Sequence, residues 1–290
     1  MATVNSRQRG RPVRTTRVAE PAGGTPALRS GAGFCLGLKW CAAILLLAAA
    51  GLALAGEEQR KIFADRAEAE FQRAQKQFES NTNDAAAAVP FARACFDFAD
   101  FATNEAERAA LARRGIAVCR RLVAENPKLA AGHYYLAMNL GQLARTELLG
   151  ALKLVKAMER EFKAADALDE HLDYAGPARS LGLLYRDAPG WPASIGSRRK
   201  AREWLEKAVN VAPDFPENRL TLAESCLEWK ELDRAKQQLD ALDALWPRAQ
   251  TNFTGAAWEQ SWDDWSTRRD DARKRLIAIS APPKPPKNGR

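Results

Sequence analysis

Residues 201–213 read AREWLEKAVNVAP, and residues 235–247 read AKQQLDALDALWP. Ala201 aligns with Ala235, Leu205 with Leu239, Ala208 with Leu242 and Pro213 with Pro247, every offset being 34 residues. A period of this length in a helical sequence marks a chain of stacked hairpins. A small first residue lets one helix lie close to its neighbour. The apolar residues four and seven positions later continue the same face. The proline is expected to end the unit, because it cannot continue a helix.

The partner helix of the first unit carries Leu181-Gly182-Leu183-Leu184-Tyr185, and Leu222-Ala223-Glu224-Ser225-Cys226 is its weaker copy. With these motifs the chain from about residue 177 to 247 resembles the tetratricopeptide-repeat (TPR) family, whose helix A carries L-G-x-x-Y and whose helix B carries the A-x3-L pattern. Looser copies lie upstream. Gly115, Cys119, Leu122 and Pro127 keep the helix-B offsets, as do Met158, Phe162 and Ala165 without a proline. The expected fold is therefore all-α: a TPR-like superhelix of four hairpins, at 84–125, 129–171, 177–211 and 216–246, two of them degenerate. An extra helix is expected at 58–80, with Phe63, Ala67, Phe71, Ala74 and Phe78 on one face. Asn104 with Glu107 reads as a capping box, and Pro177 and Pro216 suit first helical positions. Trp258, Trp262 and Trp265 suggest a segment covering the apolar end of the solenoid. The expected organisation is a basic leader at 1–33, an apolar segment at 34–56, the repeat domain at 57–247, a capping segment at 248–280 and a Pro/Lys tail at 281–290.

The third hairpin is interrupted. Gly182 to Ala201 spans 19 residues where Ala223 to Ala235 spans 12, so residues 187–200, DAPGWPASIGSRRK, contain a seven-residue insertion. Pro189 ends helix A, Gly190 and Gly196 permit turns, and Ser197 caps helix B. Two readings of this loop stand. Trp191, Arg198, Arg199 and Lys200 form a binding mouth on a rigid scaffold, or Trp191 folds back to fill an apolar gap. The second hairpin has a similar excess, 21 residues from Ala137 to Met158. Helical register places Tyr134, Met138, Gly141 and Gln142 on the concave face, followed by Arg179, Leu183 and Arg186, then Leu220, Glu224 and Glu228. Such a mixed surface suits a protein partner or ordinary contact with the next hairpin.

The N-terminus carries a different message. WCAAILLLAAAGLALAG (40–56) has no charge and follows a basic stretch. It ends in Ala53-Leu54-Ala55, a small-x-small pattern, so it reads as a secretory signal cut after Ala55. The alternative is an uncleaved anchor, short against the ~20 residues that span a bilayer. Either reading places the remainder outside the cytoplasm, in the periplasm or secreted. No cysteine follows the run, so lipid attachment there is not expected. Residues 1–39 hold seven basic groups and Glu20, net +6, leaving +2 of the total +8 for the rest. The sequence pI of about 9.4 is thus mostly a property of the leader, and it does not argue for nucleic acid.

Catalytic signals are absent from the sequence. There are two histidines, and no HExxH, CxxC, GxSxG or P-loop pattern. DALDEHLD (166–173) gathers acids around His171, but its spacing fits no compact metal loop. No metal, cofactor or enzymatic activity is expected. Cys95, Cys119 and Cys226 remain beyond the leader; a Cys95–Cys119 disulfide and three buried thiols are the alternatives. The expected function is non-catalytic recognition of a protein through the groove and the 187–200 loop. The alternative is a small-molecule ligand. The export signal, degenerate repeats and long loop after L-G-x-x-Y together resemble the TPR-type T component associated with TRAP transporters. That resemblance implies a periplasmic helical protein with a ligand cavity, working beside a solute-binding protein.

Overall fold

The computed structural model describes the backbone of residues 34–147 and 150–280, and the side chains of 56–147 and 150–280. Residues 1–55, which include the cleavage expected after Ala55, and the tail lie outside the described side chains. The chain divides into two compact units, Met1–Ala55 and Gly56–Arg290, and the second carries the fold. Among the described residues, no helix is long and apolar enough to cross a membrane.

Ten α-helices are present among the described residues: α1 (Phe34–Ser80), α2 (Ala85–Ala99), α3 (Glu105–Glu125), α4 (Ala130–Ala144), α5 (Ala151–Leu168), α6 (Gly176–Asp187), α7 (Arg198–Val211), α8 (Pro216–Glu228), α9 (Leu232–Asn252) and α10 (Glu259–Ser280). They pack as sequential antiparallel pairs, α2 with α3, α4 with α5, α6 with α7 and α8 with α9. The expected caps form. Glu107 N donates to Asn104 Oδ1 at 2.9 Å, and Glu107 Oε2 accepts from Thr103 N at 2.7 Å.

The repeat residues are the core. Leu181, Ala201, Leu205, Ala208, Ala235, Leu239 and Leu242 are fully buried, and Tyr185 nearly so. At Gly182 an added Cβ would lie 2.5 Å from the Leu205 side chain and 3.2 Å from its backbone nitrogen. The glycine is required because α6 and α7 touch there. On α1, Phe71 and Phe78 meet Phe91 of α2, with centroids 5.8 and 5.1 Å apart.

Two expectations are corrected. Pro213 follows the end of α7, but Pro247 does not end its helix, because α9 runs on to Asn252. An internal proline costs about 3 kcal/mol. Burial of Ala249 and Phe253 beyond it, continuous with Trp265 of α10, offsets that cost. The disulfide alternative also fails, since Cys95 and Cys119 are free, buried thiols. Burial raises both, pushing Cys95 up to about 12.

Candidate functional site

The tip of the inserted loop, residues 189–193, is exposed. The base of the loop is tied by backbone bonds, Ser197 N to Tyr185 O at 2.8 Å and Gly196 N to Pro189 O at 2.9 Å. A side chain at Gly196 would sit 2.0 Å from the Ala188 carbonyl oxygen, so the strands of the loop close only around glycine. Ser197 Oγ accepts from Lys200 N and caps α7. Ile195 packs against the core, whereas Trp191 is 88% exposed. The gap-filling reading of Trp191 is therefore overturned: Ile195, not the indole, is the apolar anchor. Arg198 lies over the Trp229 ring and pairs with Glu231. Arg199 pairs with Glu203 one turn along and stays largely exposed.

The concave-face residues behave differently. Tyr134 and Gln142 are buried. Gln142 donates to Asp100 Oδ1 at 2.8 Å and joins α4 to the end of α2. Met138 is half-buried, with Ser180 Oγ 3.7 Å from its sulfur. Arg186 reaches Ser225 Oγ at 3.2 Å and pairs with Asp187 and Glu228. These side chains join neighbouring hairpins, which leaves little of them for a partner.

Tyr134 and Arg179 belong to one polar network, and Glu224 to a second. The Tyr134 hydroxyl donates to Asp173 Oδ2 at 2.7 Å, and Arg179 reaches the same oxygen at 3.2 Å. Burial and the adjacent Asp173 hold that hydroxyl firmly protonated. Asp173, Tyr174 and Ala175 all have positive φ, 50°, 54° and 65°. Such residues cost of order 1–3 kcal/mol each and need outside support. Asn218 supplies it with a bond to Tyr174 O at 3.0 Å, while the Tyr174 ring stacks on Phe215 at 4.5 Å. Further along, Arg268 of α10 forks onto Glu224, 2.9 and 2.7 Å, and reaches both oxygens of Glu217 at 2.9 and 3.0 Å. Glu217 also accepts from the Trp265 indole at 2.7 Å. Burial alone would raise the Glu217 carboxyl, but Arg268 and Arg179 outweigh it and hold it below its ordinary value.

Beside this network lies a cavity of about 850 Å³. Phe63 and Glu70 of α1, Asp97 and Asp100 at the end of α2, Tyr135 of α4, Glu217 of α8, and Asp264 and Trp265 of α10 are among its walls. Arg66 of α1 closes one rim, donating to Ala256 O at 3.0 Å and pairing with Glu259 at 2.8 Å. Asp97 faces the cavity with 45% of its side chain accessible, and its Arg93 partner stands at 3.3 Å. Its partial burial in the wall, only partly offset by Arg93, pushes its carboxyl up to about 6. Tyr135 is likewise raised, to about 12, chiefly by burial.

Phe63 and Trp265 were expected as packing residues, but Glu70, Asp97, Asp100, Tyr135, Glu217 and Asp264 were not singled out from the sequence. The signal was present as spacing: Arg93, Asp97 and Asp100, and again Glu217, Thr221 and Glu224, fall at i, i+4 and i+7. Each triplet is a polar stripe on the first helix of a hairpin. At 166–173, Asp166 and Glu170 instead pair with Lys207 at 2.7 and 3.3 Å. Among the described residues no group of three ligating side chains is poised for a metal.

No protein-family model matches the chain, and no curated protein matches it. Among solved structures it is similar to TTC0263, a thermophilic TPR protein of Thermus thermophilus. The identity is 21% and the TM-score 0.55, over 72% of this chain and 92% of that one. A second similar structure is MamA, at 16% identity and TM-score 0.44, over 61% of this chain and 87% of that one. The likeness to TTC0263 shows the fold: all-α, with helices packed as antiparallel pairs in the TPR manner.

Proposed function

We propose that the protein is a non-catalytic recognition module acting outside the cytoplasm, with its hairpins as a stiff scaffold for contact with another protein. The observation that carries this reading is Trp191. A large aromatic side chain at 88% exposure leaves apolar surface in water, and tryptophan is enriched where protein partners bind most tightly. The loop is closed by its own backbone bonds, so little ordering entropy is lost when a partner covers it. Arg199 adds a charged group at the start of the following helix. The export side of the proposal rests on the uncharged run 40–56 behind a basic leader.

In-cell photo-crosslinking from position 191, with position 236 on the outer face of α9 as control, tests this. A discrete protein adduct from 191 alone is expected. No adduct from an abundant, exported protein sinks the reading.

A second reading has its own observation. The cavity beside α2 and α10, at about 850 Å³, falls within the ~300–1,000 Å³ range of small-molecule sites. It supports a solute-binding role in place of, or beside, protein contact.

A further inference from the structure

The walls of the cavity carry a chemical preference. Five carboxylates line it, Glu70, Asp97, Asp100, Glu217 and Asp264, against two guanidinium groups, Arg66 and Arg93. The acids fall on two opposed groups of helices. Glu70, Asp97 and Asp100 come from α1 and the end of α2, while Glu217 and Asp264 come from α8 and α10. Phe63, Phe101, Tyr135 and Trp265 also line the cavity.

The chain shows what such a face holds. Arg268 lies among Glu217, Glu224 and Asp264, at 2.9, 2.7 and 2.8 Å, a guanidinium among three carboxylates. That cluster keeps an excess of negative charge after Arg268 is counted. On the opposite wall, Asp100 is shared by Arg145 and Gln142, each at 2.8 Å, and Glu70 pairs outward with Arg73 at 2.6 Å. Asp97 has the weakest pairing, one 3.3 Å contact. A weakly paired carboxylate among other carboxylates is stabilised by an added cation.

We propose that this cavity binds an organic cation bearing two or more ammonium or guanidinium groups on an aliphatic spacer, one charged end at Asp97 and the other at Asp264. The proposal rests on the second reading above, the cavity as a solute site, and adds the ligand class. The same chemistry comes from a free polyamine or from lysine and arginine side chains of a peptide. An anionic solute is disfavoured, because it would meet carboxylates on both walls.

Calorimetric titration of the full-length protein tests the proposal with three probes: spermidine, the peptide acetyl-Lys-Ala-Ala-Lys-amide, and succinate as a dianion. Saturable binding of spermidine or of the peptide is expected, and the stronger of the two identifies the source. Asp97→Asn and Asp264→Asn should each weaken it about tenfold or more, the loss of one charge-assisted contact. Lys236→Gln on α9 should leave it unchanged. Melting curves of each variant separate lost binding from lost folding. Spermidine or peptide binding that both asparagine variants retain, while folded, overturns the assigned site. Succinate binding without cation binding overturns the ligand class but leaves the cavity as a solute site. Failure of all three probes overturns both.

Discussion

Two regions of this molecule use tryptophan for opposite ends. At the C-terminus, Trp258, Trp262 and Trp265 join Phe215 and Phe253 in one aromatic cluster, with neighbouring ring centroids 4.8–6.1 Å apart. Trp265 is 2% exposed, and its indole nitrogen is bonded to Glu217. At the loop, Trp191 is 88% exposed, and no aromatic neighbour pairs with it among the described residues. The difference lies in what each region must cover. The solenoid ends after α9 with an apolar face that needs a lid, and the C-terminal tryptophans provide it. The loop has Ile195 as its anchor, which leaves its indole free.

The largest test of this contrast is Trp265→Ala. It should cost about 3–5 kcal/mol, as for large-to-small changes in packed cores, read as a lower denaturation midpoint. Arg268→Ala should cost about 3 kcal/mol at neutral pH, because it leaves Glu217 and Glu224 facing each other without their cation. The Glu217 carboxyl is held below its ordinary value in the fold. Its stabilising contribution is therefore present above the unfolded-state value and is lost as pH falls through the folded one. The difference between wild type and Arg268→Ala should shrink in acid, and a difference that grows there would contradict the network.

Asp97→Asn should act in the opposite sense. The folded carboxyl is raised to about 6, so ionised Asp97 costs stability as pH rises from its unfolded value through that point. The variant should be more stable at neutral pH, by about 1 kcal/mol or less, given how far solvent screens this half-exposed group, read as a higher melting temperature. The gain should vanish below about pH 3, where both states are protonated. The smallest effect belongs to Trp191→Ala, within about 0.5 kcal/mol of wild type by chemical denaturation. A large loss there would make the loop a structural element after all.

The legible part of the fold was the part governed by local rules. Leu181-Gly182-x-x-Tyr185, Ala201, Leu205 and Ala208 could be placed because a helix face repeats every 3.6 residues and a crossing demands a small residue. Pro247 misled, because whether a helix ends at proline depends on what can still be buried beyond it. Tyr134, Gln142 and Arg186 were placed on the correct elements, but their availability was not readable. That depends on Asp173, Asp100 and Ser225, which lie 39, 42 and 39 residues away from them in the chain. The cavity escaped for the same reason, since its acids come from helices more than a hundred residues apart.

The sequence by itself determined that this chain is a stack of helical hairpins, where the third hairpin is interrupted, and which residues form its core. These follow from periodicity and sterics within one turn or one repeat. Only the tertiary structure decided that Trp191 is free and that acids of α1, α2, α8 and α10 line one cavity. Burial and charge pairing are properties of neighbours in space. A repeat fold brings such neighbours together through the small rotations accumulated from one hairpin to the next, a sum that no single stretch of sequence displays.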